Sequence, residues 1–169
     1  NRSFDVKVKD FIYEQGVTQF VFDAASDLGL KLVVKPHPGE EYSYNFTEAL
    51  AKRHGFSYIP ARACNTLDLI LAAKAVTAGK STCLTEATLL DRNTGGMLPD
   101  VEDKWIKPFP PLMLNAIPYT QMWEGVKEVL SMVTSNNTNV NLNLAQNRQK
   151  FSVDGKASMR LVELIESFS

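Results

Sequence analysis

A short apolar run followed by a stretch of helical period recurs along this chain, and that rhythm limits its fold more than any other feature. Leu30 to Val34 is a leucine and valine run, interrupted by Lys31 and stopped by Pro36 and Pro38. Phe56 to Ile59 and Ala75 to Ala78 are two further short runs. Runs of this length suit strands buried on both faces, as in a parallel sheet. The intervening segments have the other period. Thr18 to Leu28 places Phe20, Val21, Ala24, Ala25 and Leu28 at helical spacing, and Gly29 follows as a C-cap. Tyr42 to His54 repeats the pattern through Phe46, Ala49, Leu50 and Arg53, closed by Gly55. Thr66 to Lys74 is a third helix, with Asn65 or Thr66 as N-cap and Leu67, Ile70, Leu71 and Ala72 turned to the core. Ser81 to Asp91 is a fourth. Strand and helix alternate every 20 to 25 residues or so, which calls for right-handed crossovers between parallel strands. The expected class is α/β: a Rossmann-like three-layer α/β/α domain spanning residues 1–169.

The flanks are less regular. Residues 1–17 mix charged and apolar positions without a clean period. A strand is expected at Gly96 to Leu98. Residues 99–118 hold five of the eight prolines and suggest an irregular surface segment. Thr120 to Val133 is expected to be a helix, with Met122, Trp123, Val126, Val129 and Leu130 inward. After an asparagine-rich connection over Ser135 to Asn143, Ala145 to Phe151 and Lys156 to Phe168 are expected to close the domain as helical segments.

Composition removes several classes of function. Eighteen basic and nineteen acidic residues leave a net charge of -1 with no block of like charge, so a general nucleic-acid surface is not expected. No apolar run approaches the roughly 20 residues of a membrane helix, and the first residues do not resemble a signal peptide. The expected location is cytoplasmic. Cys64 and Cys83 have no partner at metal-ligand spacing and are expected to be reduced, packed thiols. No metal cluster, Ser/His/Asp order or dinucleotide fingerprint is present in the sequence.

Two strand ends carry chemistry. Gly79-Lys80-Ser81-Thr82 stands where a strand gives way to a helix, and the first amides of a helix lack internal partners and face the positive end of its dipole. An anion is stabilised there. Gly79 allows close approach, and the Ser81 and Thr82 hydroxyls add donors. This is not a Walker A loop, because Lys74 stands where that motif has its leading glycine. Glu86, one turn below Thr82, could accept both hydroxyls of a ribose, or it could be an ordinary solvated carboxylate. His37 follows the Leu30–Val34 run directly, flanked by Pro36 and Pro38, with Lys35 two residues earlier on the same side of an extended backbone. A cation and an imidazole at the end of a parallel strand suit a diphosphate or a developing anionic leaving group. His54, before Gly55, is expected to be a solvated residue at a helix end. Glu40 and Glu41 are expected to be a solvated pair. Arg62 could meet a phosphate or a surface carboxylate.

Several of these motifs, in this order, resemble a known family. The stretches Leu32 to Glu40, Asn65 to Ile70, Ala75 to Thr82, Glu86-Ala87 and Asp154 to Arg160 are similar to the C-terminal half of GT-B-type glycosyltransferases. The likeness is strongest to capsule and surface-polysaccharide enzymes of the CDP-glycerol glycerophosphotransferase-like and Kdo-transferase-like groups, and weaker to UDP-N-acetylglucosamine 2-epimerases. It covers roughly residues 18–92 and 145–166. It implies that residues 18–92 bind a nucleotide-sugar or CDP-activated donor as substrate, without a resident cofactor. His37 would be catalytic and meet the donor phosphates beside Lys35; Gly79, Ser81 and Thr82 would hold the diphosphate, and Glu86 the ribose. Asp154 to Arg160 would be structural. The resemblance also implies an N-terminal acceptor-binding domain outside these residues, through which a full-length protein could associate peripherally with a membrane. Two differences stand out: Asp91 to Gly96 replaces the family's Gly-Lys-Pro-Val strand, and the epimerase Arg-Gln-Gly-Arg run is absent. The alternatives are an epimerase-like domain and a non-catalytic nucleotide-binding or interaction domain.

Overall fold

A computed structural model describes residues 2–39, 44–79, 81–99 and 117–135, with side chains from Gln15 onward. The elements run α1 (Arg2–Asp27), β1 (Val33–Val34), α2 (Tyr44–His54), β2 (Ser57–Tyr58), α3 (Thr66–Ala72), β3 (Ala75–Ala78), α4 (Thr82–Leu89), β4 (Asn93–Met97), β5 (Tyr119–Thr120) and α5 (Gly125–Thr134). Expectations for Glu40, Glu41, residues 100–116 and residues 136–169, the helical segments after Ala145 and the Asp154 motif included, lie outside the described residues.

Among the described residues every strand pair is parallel. β1 pairs β2 with Val33 opposite Ser57, β3 pairs β4 with Ala75 opposite Asn93, and β4 pairs β5 with Gly96 opposite Tyr119. Two helical layers enclose the strands. On one face α1 packs between α2 and α5, while α5 also covers β3, β4 and β5; α3 and α4 pack together elsewhere, α4 against β3 and β4. Gly95 of β4 meets Val129 and Val133 of α5. The crossover from β1 to β2 runs through α2 and that from β3 to β4 through α4. This is the Rossmann-like three-layer α/β/α architecture. Among the described residues the two sheets are not hydrogen-bonded to each other; one core joins them, in which Ala24, Ala25, Met97, Val126, Val129, Leu130 and Val133 pack with Leu30, Leu32, Phe56 and Ala75.

Three helices end in the same way. Leu30 N–H donates to Ala25 O, Phe56 N–H to Ala51 O and Arg92 N–H to Ala87 O, each at 2.9 Å across a residue of positive φ. These bonds satisfy carbonyls the helices would otherwise leave open. Gly29 (φ 65°) and Gly55 (φ 71°) hold the left-handed position in α1 and α2, and Asp91 (φ 57°) holds it in α4.

The structure changes several expectations. α1 extends back to Arg2 instead of beginning at Thr18, since no proline interrupts residues 2–17. Phe20 is 46% exposed, because it turns to Trp123 rather than into the core. In α2 the buried positions are Thr47, Leu50 and Ala51, while Ala49 and Arg53 are exposed. Val33 is 56% exposed, so β1 is not buried on both faces. Of the four α3 residues expected inside only Ile70 is buried, because a seven-residue helix presents one turn's face to its neighbour α4. The strand expected at Gly96 to Leu98 begins three residues earlier, at Asn93, and β5 takes Tyr119 together with Thr120, the residue expected to open a helix. α5 accordingly starts at Gly125, which leaves Met122 65% exposed.

Candidate functional site

The loop after β1 is built around His37. Pro36 is buried and anchors it; Lys35 is half-buried, and His37 is exposed. Gly39 N–H donates to His37 Nδ1 at 3.1 Å, and Tyr44 Oη donates to His37 O at 3.0 Å. The first bond closes the Pro-His-Pro-Gly turn over the ring; the second ties that turn to the start of α2. A backbone amide can only donate, so Nδ1 accepts and the proton of the neutral imidazole resides on Nε2. The ring thus offers an N–H donor even when uncharged.

The loop after β3 leads to α4. Ser81 is the N-cap, with extended backbone (φ -136°, ψ 141°), and its Oγ accepts from Cys83 N–H at 3.4 Å. Thr82 and Glu86 are exposed on α4, one turn apart. Gly79 is exposed, and a Cβ there would lie 3.6 Å from Met97 O, an ordinary contact. Local packing therefore does not demand glycine at 79; its consequence is clearance above the strand end. Cys83 is half-buried, and burial foremost pushes its thiol above the ordinary value; Glu86 pushes the same way, while the hydrogen bond with Ser81 opposes both. The thiol thus responds to a hydrogen bond at Ser81 and to a charge at Glu86.

All six expected site residues follow the carboxyl ends of two strands, Lys35 and His37 after β1 and Gly79, Ser81, Thr82 and Glu86 after β3. The hydrogen bonds above stay within each set; each set follows the carboxyl end of a strand paired in parallel, and ligands of open α/β sheets bind outside such ends. Arg62 is exposed on the turn after β2, at the same end, where Ala63 N–H donates to Pro60 O at 3.0 Å. Tyr58 ends β2, and partial burial first, then Glu48 and Tyr44, push its phenol up, favouring the neutral form. Among the described residues no three His, Cys, Asp or Glu side chains converge as metal ligands.

His54 differs from its expected solvated state. Its side chain is 12% exposed, stacked on Phe56 at 5.5 Å with planes 15° apart and edge-on to Phe22 at 6.0 Å. The helix-ending turn at Gly55 folds Phe56 back over it, a long-range packing event that a lone helix end does not signal. Neither Tyr44 nor Gly39 is among the residues expected at the site, yet both hold it. A glycine two residues after a histidine and a tyrosine opening the next helix are the sequence signals that point to them.

No protein-family profile, curated protein or solved structure was found to match this chain. No helix among the described residues is long and apolar enough to cross a membrane.

Proposed function

We propose that the β1 and β3 loops bind the diphosphate of a nucleotide-activated donor, and that the domain is the donor half of a GT-B-like glycosyl- or glycerophosphoryl-transferase of surface-polysaccharide synthesis. One observation carries the reading: His37 follows the carboxyl end of β1 and the Ser81–Thr82 helix start follows that of β3, each strand is paired in parallel, and open α/β sheets bind ligands outside such ends. In the proposed reaction an acceptor hydroxyl oxygen forms the new bond to the transferred group. The bond from that group to the nucleotide phosphate breaks, and its electron pair leaves with the phosphate. His37 Nε2–H, Lys35 and the first amides of α4 stabilise the negative charge that develops. Glu86 accepts the ribose hydroxyls. The acceptor proton passes to a base on the acceptor side, outside these loops.

The test is a titration with UDP, CDP and CMP, read by calorimetry and by the rate at which iodoacetamide alkylates Cys83. An anion at the start of α4 disfavours the thiolate, so bound nucleotide should slow alkylation. His37→Ala and Glu86→Ala should each weaken binding about tenfold, the scale of one charge-assisted hydrogen bond. If both variants bind like the parent, the site is wrongly placed.

A further inference from the structure

We propose that Gly39 and Tyr44 are positioning residues that hold the His37 imidazole as an Nε2–H donor, so that His37 grips an anionic oxygen and does not act as a general base. The inference rests on the reading of this loop as a phosphate site, but its core concerns the ring alone. Gly39 N–H occupies the lone pair of Nδ1 at 3.1 Å. Tyr44 Oη fixes the carbonyl of the same residue at 3.0 Å from the first position of α2. The ring and its backbone are thus held from two sides, by contacts that come from a turn two residues on and a helix seven residues on. A Cβ at position 39 would lie 3.2 Å from Nδ1, tighter than an ordinary contact, so glycine is the residue that lets the amide close on the ring.

The chemistry follows from the tautomer. With its proton on Nε2 the neutral ring presents no lone pair at that nitrogen, and a general base must present one. A donor that persists in both protonation states suits a ligand that is anionic throughout, such as the phosphates of a nucleoside diphosphate. A site meant to deprotonate a hydroxyl would be served by the opposite arrangement, with Nδ1–H donated to a carbonyl or carboxylate.

Long-range ¹H–¹⁵N correlation spectra of the full chain, recorded in alkaline buffer with the ring neutral, read the tautomer directly. The expected pattern is a protonated Nε2 and an unprotonated Nδ1 for His37. Tyr44→Phe should broaden that pattern toward a tautomer mixture while the melting temperature stays within about a degree of the parent. UDP binding supplies the second readout. His37→Gln places an amide N–H near the reach of Nε2, whereas His37→Asn reaches only as far as Nδ1. Binding should fall no more than about threefold in the first and about tenfold or more in the second. A proton found on Nδ1, or an Asn variant that binds UDP as well as the Gln variant, overturns the proposal. An Nε2–H tautomer in a chain that binds no nucleotide supports the clasp and overturns the phosphate reading instead.

Discussion

His54 Nε2 lies 3.3 Å from Asp23 Oδ1, so the last residue of α2 is drawn onto the final turns of α1. The contact is an ion pair only when the imidazole is protonated, and Nε2 itself is buried with no hydrogen-bond partner among the described residues. The edge contact of His54 with Phe22 joins the same two helices, as does the hydrogen bond that Arg53 Nη2 donates to Gln19 Oε1 at 3.0 Å. His54→Ala removes the stack on Phe56 and the edge contact with Phe22 and should cost about 1 to 3 kcal/mol. Asp23→Ala should cost under about 1 kcal/mol, because Asp23 is largely exposed and its charge is screened. Urea unfolding of both variants decides between these shares; equal losses would mean that the ion pair, not the aromatic stack, holds the helices together here.

The helix ends permit a signed prediction at three positions. Gly29→Ala and Gly55→Ala force a Cβ into the left-handed region and should each destabilise by about 1 kcal/mol or somewhat more. Asp91→Gly relieves the same cost in α4 and should stabilise by about 0.5 to 1 kcal/mol. Thermal unfolding of the three variants should move in opposite directions, down for the first two and up for the third.

At Gly95 the sheet and α5 approach too closely for any side chain. An added Cβ would stand 2.7 Å from Val129 Cγ1 and 3.1 Å from Val133 Cγ1. Gly95→Ala should destabilise by about 1 to 3 kcal/mol. Val129→Ala alone opens a cavity and also destabilises, yet the two together should cost less than the sum of the singles. A strictly additive double-mutant cycle would show that the two sites do not touch.

Cys83 provides a pH test. Its raised thiol value means that folding favours the neutral form; the associated stability is complete below the ordinary value of 9.0 and is lost as pH climbs through the folded one. Alkylation of the folded protein should therefore rise at higher pH than that of an unfolded control. Glu86→Gln should shift the profile to lower pH and Ser81→Ala to higher pH, because the first removes a neighbouring charge and the second a favourable hydrogen bond. Profiles that coincide with the control would remove the burial on which this rests.

Much of the element order was legible because each strand and helix carries its own local signal. Ala75–Ala78 forms the strand that its apolar run predicts, and Gly29, Gly55 and Asn65 cap helices where expected, Asn65 Oδ1 accepting from Leu67 N–H at 3.1 Å; Ser81, expected inside the fourth helix, caps it instead. Asp91 was not legible as a cap, since aspartate enters the left-handed region only when the turn around it requires this. Period alone puts Leu67 and Leu71 in the core, but α3 has too little neighbouring surface to cover them. The His37 loop was legible as a stiff strand end. Its orientation was not, because Tyr44 and Gly39 bind it across a turn.

The sequence by itself determined the alternation of parallel strands and helices, for apolar period, prolines and capping residues act over a few positions. Tertiary structure decided which elements meet: α1 packs against both α2 and α5, β1 pairs with β2 and β3 with β4, so that Lys35 and His37 follow one sheet's strand and Ser81, Thr82 and Glu86 the other's. The physical reason is range: period and capping act within one element, whereas packing partners and strand neighbours lie far apart along the chain.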